Sequence, residues 1–112
     1  MAQDRAARIA ELNDQFRKNP LDGHGRVMMT RAVHAFGAEF ALKALSAIAA
    51  FDSFARDNDP YGERDFGVVV VDGTKLFWKV DYHNADMTGG SEDPSDPVQT
   101  SRVMTVMLPE DY

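Results

Sequence analysis

The sequence predicts an α+β fold: an antiparallel β-meander sheet packed against a central helix, in the order α-β-α-β-β-β. Three observations carry this expectation. Apolar residues recur at helical spacing in the first half of the chain. The second half holds β-rich runs with period-two alternation, bounded by turn residues. Helices followed by a run of strands give a segregated α+β architecture rather than repeating βαβ units. At 112 residues the chain is one domain, 1–112, long enough to bury an ordinary core without staples.

The first element is an amphipathic helix over 4–18. Ile9, Leu12 and Phe16 recur at three- and four-residue steps, with Arg5, Arg8, Glu11 and Lys18 between them. Asp4 is the expected N-cap. Asn19-Pro20 and Asp22-Gly23 stop the helix. "GRVMMT", residues 25–30, then reads as a short strand with Val27 and Met29 on one face and Met28 and Thr30 on the other. Thr30 caps a brief helical turn that Gly37 ends.

The strongest helix spans 38–55. Glu39, Lys43, Ser46 and Ser53 mark a narrow polar stripe, and Phe40, Leu42, Ala44, Leu45, Ile48, Phe51 and Phe54 cover the rest. A helix apolar around most of its girth is expected to be buried on more than one side. It is therefore the central helix, packed across the sheet, with Phe51 and Trp78 both buried.

Two β-rich runs flank Asp72-Gly73, a type I′ turn signal, because both central positions of that turn need positive φ. The pairing this turn dictates sets Val71 against Thr74. It brings Asp65 near Val80 and Glu63 near Tyr82. On the second strand Leu76, Trp78, Val80 and Tyr82 face the core; Lys75, Phe77, Lys79, Asp81 and His83 face a mostly wet side. Residues 84–100 are too polar and too broken by Gly and Pro for regular structure, and loops of that length are usually functional or disordered. "SRVMTVMLP", residues 101–109, is the last strand. The three strands of the sheet core are 66–71, 75–83 and 102–108. Met28, Met29, Met104 and Met107 read as core filler.

The net charge is −6, and residues 52–96 alone hold eleven acidic and four basic side chains, a net of −7. A segment so short of Lys and Arg is not expected to bind nucleic acid directly, because phosphate binding needs cations that displace counterions. A basic protein partner suits it better. The chain has no cysteine. That excludes disulfides, thiolate catalysis and cysteine-ligated zinc or iron–sulfur clusters. Charges interrupt the N-terminal twenty residues, so no signal peptide is expected, and no run approaches a membrane span. The expected protein is soluble and cytoplasmic.

"DNDPYGERDFG", residues 57–67, concentrates four acidic side chains with Pro60, Tyr61 and Gly62. As a calcium loop starting at Asp57 it fails. The fifth position is Tyr61 and the twelfth is Val68, where oxygen ligands are required. As a turn it succeeds: Asn58-Asp59-Pro60 disfavours helix, and Gly62 supplies a conformation other residues avoid. The binding candidates are Asp57, Asp59, Tyr61, Glu63, Asp65, Asp81 and His83. Glu63, Asp65, Asp81 and His83 are expected to gather at the open end of the hairpin, where carboxylates and one imidazole could hold a cation or act as acid and base. His83 also reads simply as a solvent-facing edge residue. His24 and His34 have no metal spacing to another histidine. No nucleophile elbow, phosphate loop, zinc motif or dinucleotide fingerprint occurs. No catalytic residue, metal or cofactor is assigned.

The blocks "IAELNDQFR", "GRVMMT", "AFDSFARDNDPYGERDFG", "LFWKVDYH" and "DPSDPVQTSRVMTVMLPEDY" resemble a small bacterial family known as domain of unknown function 3768. The resemblance covers nearly the whole chain, and the 57–67 block and the strand around Trp78 are its most specific parts. It implies no activity, catalytic residue or cofactor. It does imply a context: accessory genes of alphaproteobacteria on plasmids, phages or integrated elements. The expected function is a small acidic protein-binding module. Its partner would be a nucleic-acid-handling or defence protein, which an acidic surface could engage as a DNA mimic or inhibitor. The alternative is a small metal-assisted or acid–base enzyme using the Glu63, Asp65, Asp81 and His83 cluster.

Overall fold

The computed structural model describes residues 2–23 and 25–112, and it describes no side chain before Arg5. His24 thus lies outside the described residues. The elements run α1 (Ala2–Lys18), β1 (Gly25–Met29), α2 (Arg31–His34), α3 (Ala38–Ala50), β2 (Phe66–Val71), β3 (Thr74–Asn84) and β4 (Thr100–Met107), closed by a 3₁₀ turn at Pro109–Asp111. The α+β class stands. Helix α1 starts at Ala2, so Asp4 falls in its first turn rather than at its N-cap.

The sheet is mixed, not purely antiparallel, which corrects the sequence expectation. Its order is β1-β4-β3-β2. Strands β2, β3 and β4 form the expected meander, but β1 lies parallel to β4, with Val27 opposite Met104. The reason is topological. Helices α2 and α3 carry the chain back across the sheet, so β2 starts from the same end as β1. Two reversals later β4 runs that way again and fits between β1 and β3. Parallel pairing of this kind needs a long crossover and leaves no local turn signal.

One face of the sheet holds the core. Val69, Val71, Leu76, Trp78, Val80, Met104 and Val106 point at Phe16, Phe40, Ala44 and Ile48 from the helices, and all are buried. Trp78 is 0% exposed, with Phe51 and Phe54 packed edge-on against it at 5.7 and 6.1 Å. Its indole lies directly over Gly67, where a Cβ would meet Nε1 at 2.5 Å. Gly25 is under similar pressure: a Cβ there would sit 2.5 Å from the Arg102 carbonyl and 3.0 Å from the Phe16 ring.

Helix α3 ends at Ala50, short of residue 55, and Phe51 is half-buried rather than buried. Phe51 is already extended, and the chain turns there so that Phe51 and Phe54 can reach Trp78. Leu42 is 63% exposed, so α3 is covered mainly on its sheet side and not around most of its girth. Met28 is 58% exposed on the far face and is not core filler. That far face is drier than expected. Phe66, Phe77 and Tyr112 pack edge-to-face on it as the chain end folds back, and Val103 and Met107 are also buried there. Among the described residues no helix is long and apolar enough to cross a membrane.

Candidate functional site

The inner face of the sheet changes character at one end. Beyond Val80 and Met104, the next inward positions are Tyr82 and Arg102, paired directly across β3 and β4. The apolar stripe of α1 changes in step, because Asn13 and Arg17 lie on the same side as Ile9, Leu12 and Phe16. Asn13, Arg17 and Arg102 are nearly inaccessible, at 0%, 2% and 3% exposure. Buried polar groups of this kind need partners, and these find them, with the exception of Arg17 Nε, which donates to no partner among the described residues.

Asn13 is the hub. Its Nδ2 donates to the Tyr82 hydroxyl at 2.8 Å and to the Glu63 carbonyl at 2.9 Å, and its Oδ1 accepts from Arg102 Nε at 2.7 Å. The Tyr82 hydroxyl in turn donates to Glu63 Oε1 at 2.9 Å. Arg102 also donates to the Pro94 carbonyl and stacks over the Tyr82 ring at 5.3 Å. Burial holds the Tyr82 phenol well above its usual range, helped by the Asp65 and Glu63 charges and outweighing the opposing Asn13 hydrogen bond. Burial also lowers the Arg102 guanidinium from its ordinary value.

Arg17 serves a second junction. Its Nη1 donates to the carbonyls of Ile48, Ala49 and Phe51 at 2.6, 3.2 and 2.7 Å, satisfying the C-terminal end of α3. Its Nη2 pairs with Asp14 at 2.8 Å. Asp14 also holds Arg64 at 2.8 Å, and both guanidinium groups lie over the Phe54 ring. Through this relay α1 fastens residues 55–65 to the body of the molecule.

Those residues form an ordered corner. Asn58 Oδ1 accepts the Ala55 N–H at 2.7 Å while Nδ2 donates to the Ser53 carbonyl at 2.9 Å. Asp59 Oδ1 accepts the Arg64 N–H at 3.0 Å. Gly62 has φ +70° and Arg64 φ +56°, so the chain bends twice in the left-handed region. The two bends push Tyr61 outward to 81% exposure, next to the exposed Pro60 and Asp57.

The hairpin register is as expected, with Val71 opposite Thr74 across an Asp72-Gly73 turn of positive φ at both positions. Asp65 and Glu63 do reach their expected neighbours: the Val80 N–H donates to the Asp65 carbonyl, and Glu63 meets Tyr82. The four-residue cluster is nonetheless divided by the sheet. Glu63 turns to the inner face with Tyr82. Asp81 and His83, whose positions alternate with Tyr82, lie on the outer face, where Asp81 pairs with Lys79 at 3.1 Å. Asp65 senses both groups. Its carboxyl is raised by burial first, and then by the Glu63, Asp59 and Asp81 charges. Among the described residues no group of three acidic or histidine side chains is placed to hold a metal ion.

Residues 84–100 are a chain of side-chain-capped turns. Asn84 Oδ1 accepts the Thr88 and Gly89 N–H groups, Asp93 accepts from Ser95, and Asp96 accepts the Val98 N–H. The Pro94 carbonyl receives Arg102, which ties this loop to the Asn13 hub.

A family model described as "Protein of unknown function (DUF3768)" matches residues 29–111. The chain belongs to this family. No curated protein and no solved structure matches the chain. The DUF3768 match takes in the corner, the hairpin and β4, hence Glu63, Tyr82 and Arg102. It leaves out α1, which supplies Asn13 and Arg17 to the same network in this DUF3768 member. Neither of these two residues, nor Arg102, stood out in the sequence. The signal was parity: Arg102 alternates in phase with Met104 and Val106, and Asn13 and Arg17 follow Ile9 and Leu12 at helical spacing.

Proposed function

We propose that this chain is a small acidic protein-binding module that meets its partner through the 57–64 corner. The observation that supports this reading is the presentation of Tyr61, 81% exposed on a backbone held by Asn58, Asp59 and Arg64. A tyrosine on a pre-ordered turn offers a large contact area with little ordering cost, the usual chemistry of an interface anchor. The surrounding acidic segment favours a partner with a basic surface and disfavours nucleic acid. This reading extends to a cytoplasmic accessory role in bacteria, encoded on mobile elements. There a nucleic-acid-handling or defence protein would offer the basic groove.

The test is affinity capture from a bacterial host lysate, with identification of bound proteins by mass spectrometry. A partner retained by the wild type and by Arg26→Ala, but lost with Tyr61→Ala and with Asp57→Lys, supports the module. Capture insensitive to both corner substitutions rejects it. A second reading, acid–base chemistry, is favoured by one observation only, the raised Asp65 carboxyl beside Glu63. In that reading Asp65 is the proton-transferring group, and Asp65→Asn abolishes turnover while leaving partner capture intact.

A further inference from the structure

The two edges of the sheet are protected differently. Strand β1 carries the exposed Arg26 at its second position, a charge that discourages further pairing. Strand β2 reads Phe-Gly-Val-Val-Val-Val, with no charge, no proline and no bulge between Phe66 and Val71. In its hairpin with β3, the two-residue turn makes Val71 and Thr74 a hydrogen-bonded couple. Alternation then assigns the bonds to Val69, Gly67 and Asp65, and the Val80 N–H on the Asp65 carbonyl fits this phase. The N–H and C=O groups of Phe66, Val68 and Val70 therefore point away from the sheet. Among the described residues no hydrogen bond reaches them. The side chains of Val68 and Val70 are 38% and 63% exposed on the outer face.

We propose that the free edge of β2 pairs antiparallel with β2 of a second copy of this chain, joining two four-stranded sheets into one. Two features favour a second copy as the occupant. First, one register uses all of the outward groups: Val68 on Val68 of the other copy at the two-fold axis, and Phe66 on Val70 at each side, as a self-complementary contact requires. Second, that register lines up Phe66, Val68 and Val70 as one apolar stripe shared by both copies, with no charge inside it. Six residues per copy make a contact smaller than the ~1,000 Å² of a stable specific interface. The pairing is therefore reversible and concentration-dependent. It is independent of the corner and of its partner.

Sedimentation equilibrium of the full chain across the micromolar to millimolar range tests this. The expected result is a rise toward twice the monomer mass, abolished by Val68→Lys, which sets like charges together at the axis. Val70→Lys is the second variant should the first fail to fold by circular dichroism. The chain has no cysteine, which permits a sharper test of register. In the proposed pairing the two Val68 Cα atoms lie about 5.5 Å apart, within disulfide reach, whereas the two Val70 Cα atoms are about 14 Å apart. Mild oxidation should cross-link Val68→Cys and leave Val70→Cys monomeric. A chain that stays monomeric throughout, association unaffected by either lysine variant, or equal cross-linking of both cysteine variants would overturn the proposal. A monomer that instead takes up an extended foreign peptide at β2 would assign the edge to another partner and overturn it equally.

Discussion

Arg102 Nε donates to Asn13 Oδ1 at 2.7 Å, a contact between the last strand and the first helix in which both residues are almost wholly buried. Asn13→Ala removes three hydrogen bonds at once and leaves Arg102 Nε facing no acceptor. Hydrogen bonds to charged groups contribute about 1.5–3 kcal/mol, and stranding a buried donor adds to the loss. The expected destabilisation is about 2–4 kcal/mol, measured by urea denaturation. A change below about 0.5 kcal/mol would place Asn13 among ordinary surface positions.

Gly67→Ala forces a methyl group into the Trp78 indole, where the Cβ-to-Nε1 separation would be 2.5 Å. The strand cannot retreat without breaking its pairing with β3. Overpacking of this kind costs about 1–3 kcal/mol. Tryptophan fluorescence should shift along with the loss of stability, because Trp78 is the chain's one indole.

Gly62→Val tests the corner. Open space surrounds the position, so steric crowding contributes nothing and the cost comes from the positive φ alone. About 1–3 kcal/mol is expected. Tyr61→Ala, one residue away and fully in solvent, should change stability by less than about 0.5 kcal/mol. Equal effects of the two in thermal melts would contradict the division between a structural Gly62 and a presented Tyr61.

Asp65 and Asp93 titrate in opposite senses. The folded pKa of Asp65 is raised by burial and by Glu63. Its favourable contribution is therefore complete below the unfolded value, near 3.9, and is lost as pH rises through the folded value. Asp65→Asn should raise the melting temperature at neutral pH, and the gain should vanish near pH 3. Asp93 is held below its ordinary value, first by its Ser95 hydrogen bond. Its contribution is present above the unfolded value and is lost as pH falls through the folded one. Asp93→Asn should thus lower the melting temperature at neutral pH. Melts of both variants at several pH values decide the signs.

The acidic segment should leave duplex DNA unbound. Residues 52–96 carry a net of −7, and counterion release demands cations. A mobility shift that weakens steeply with salt and maps to these residues would contradict this.

How far the sequence spoke depended on the range of each interaction. The hairpin's register was legible because Asp72-Gly73 fixes it locally. The corner was legible for the same reason: Pro60 and Gly62 act on their own neighbours. Parallel pairing of β1 with β4 was not legible, because Val27 and Met104 meet only after two helices and a hairpin have intervened. The proposed carboxylate cluster failed on alternation. Tyr82 and its neighbours Asp81 and His83 occupy opposite faces, so adjacency in sequence separates them in space. The role of Glu63 changes accordingly. Its carboxylate accepts from Tyr82 within the structure and is not a free rim charge.

The strand made last stands in the middle. Strand β4 lies between β1 and β3, and β1 has no other partner in the sheet. During synthesis the chain therefore emerges with its helices and its hairpin complete but its sheet in two pieces. A ribosome stalled before residue 100 would release a product with β1 unpaired and both sides of the hairpin open. Loss of β4 alone therefore separates β1 from the hairpin. Cellular quality control would meet the shortened chain as exposed strand edges.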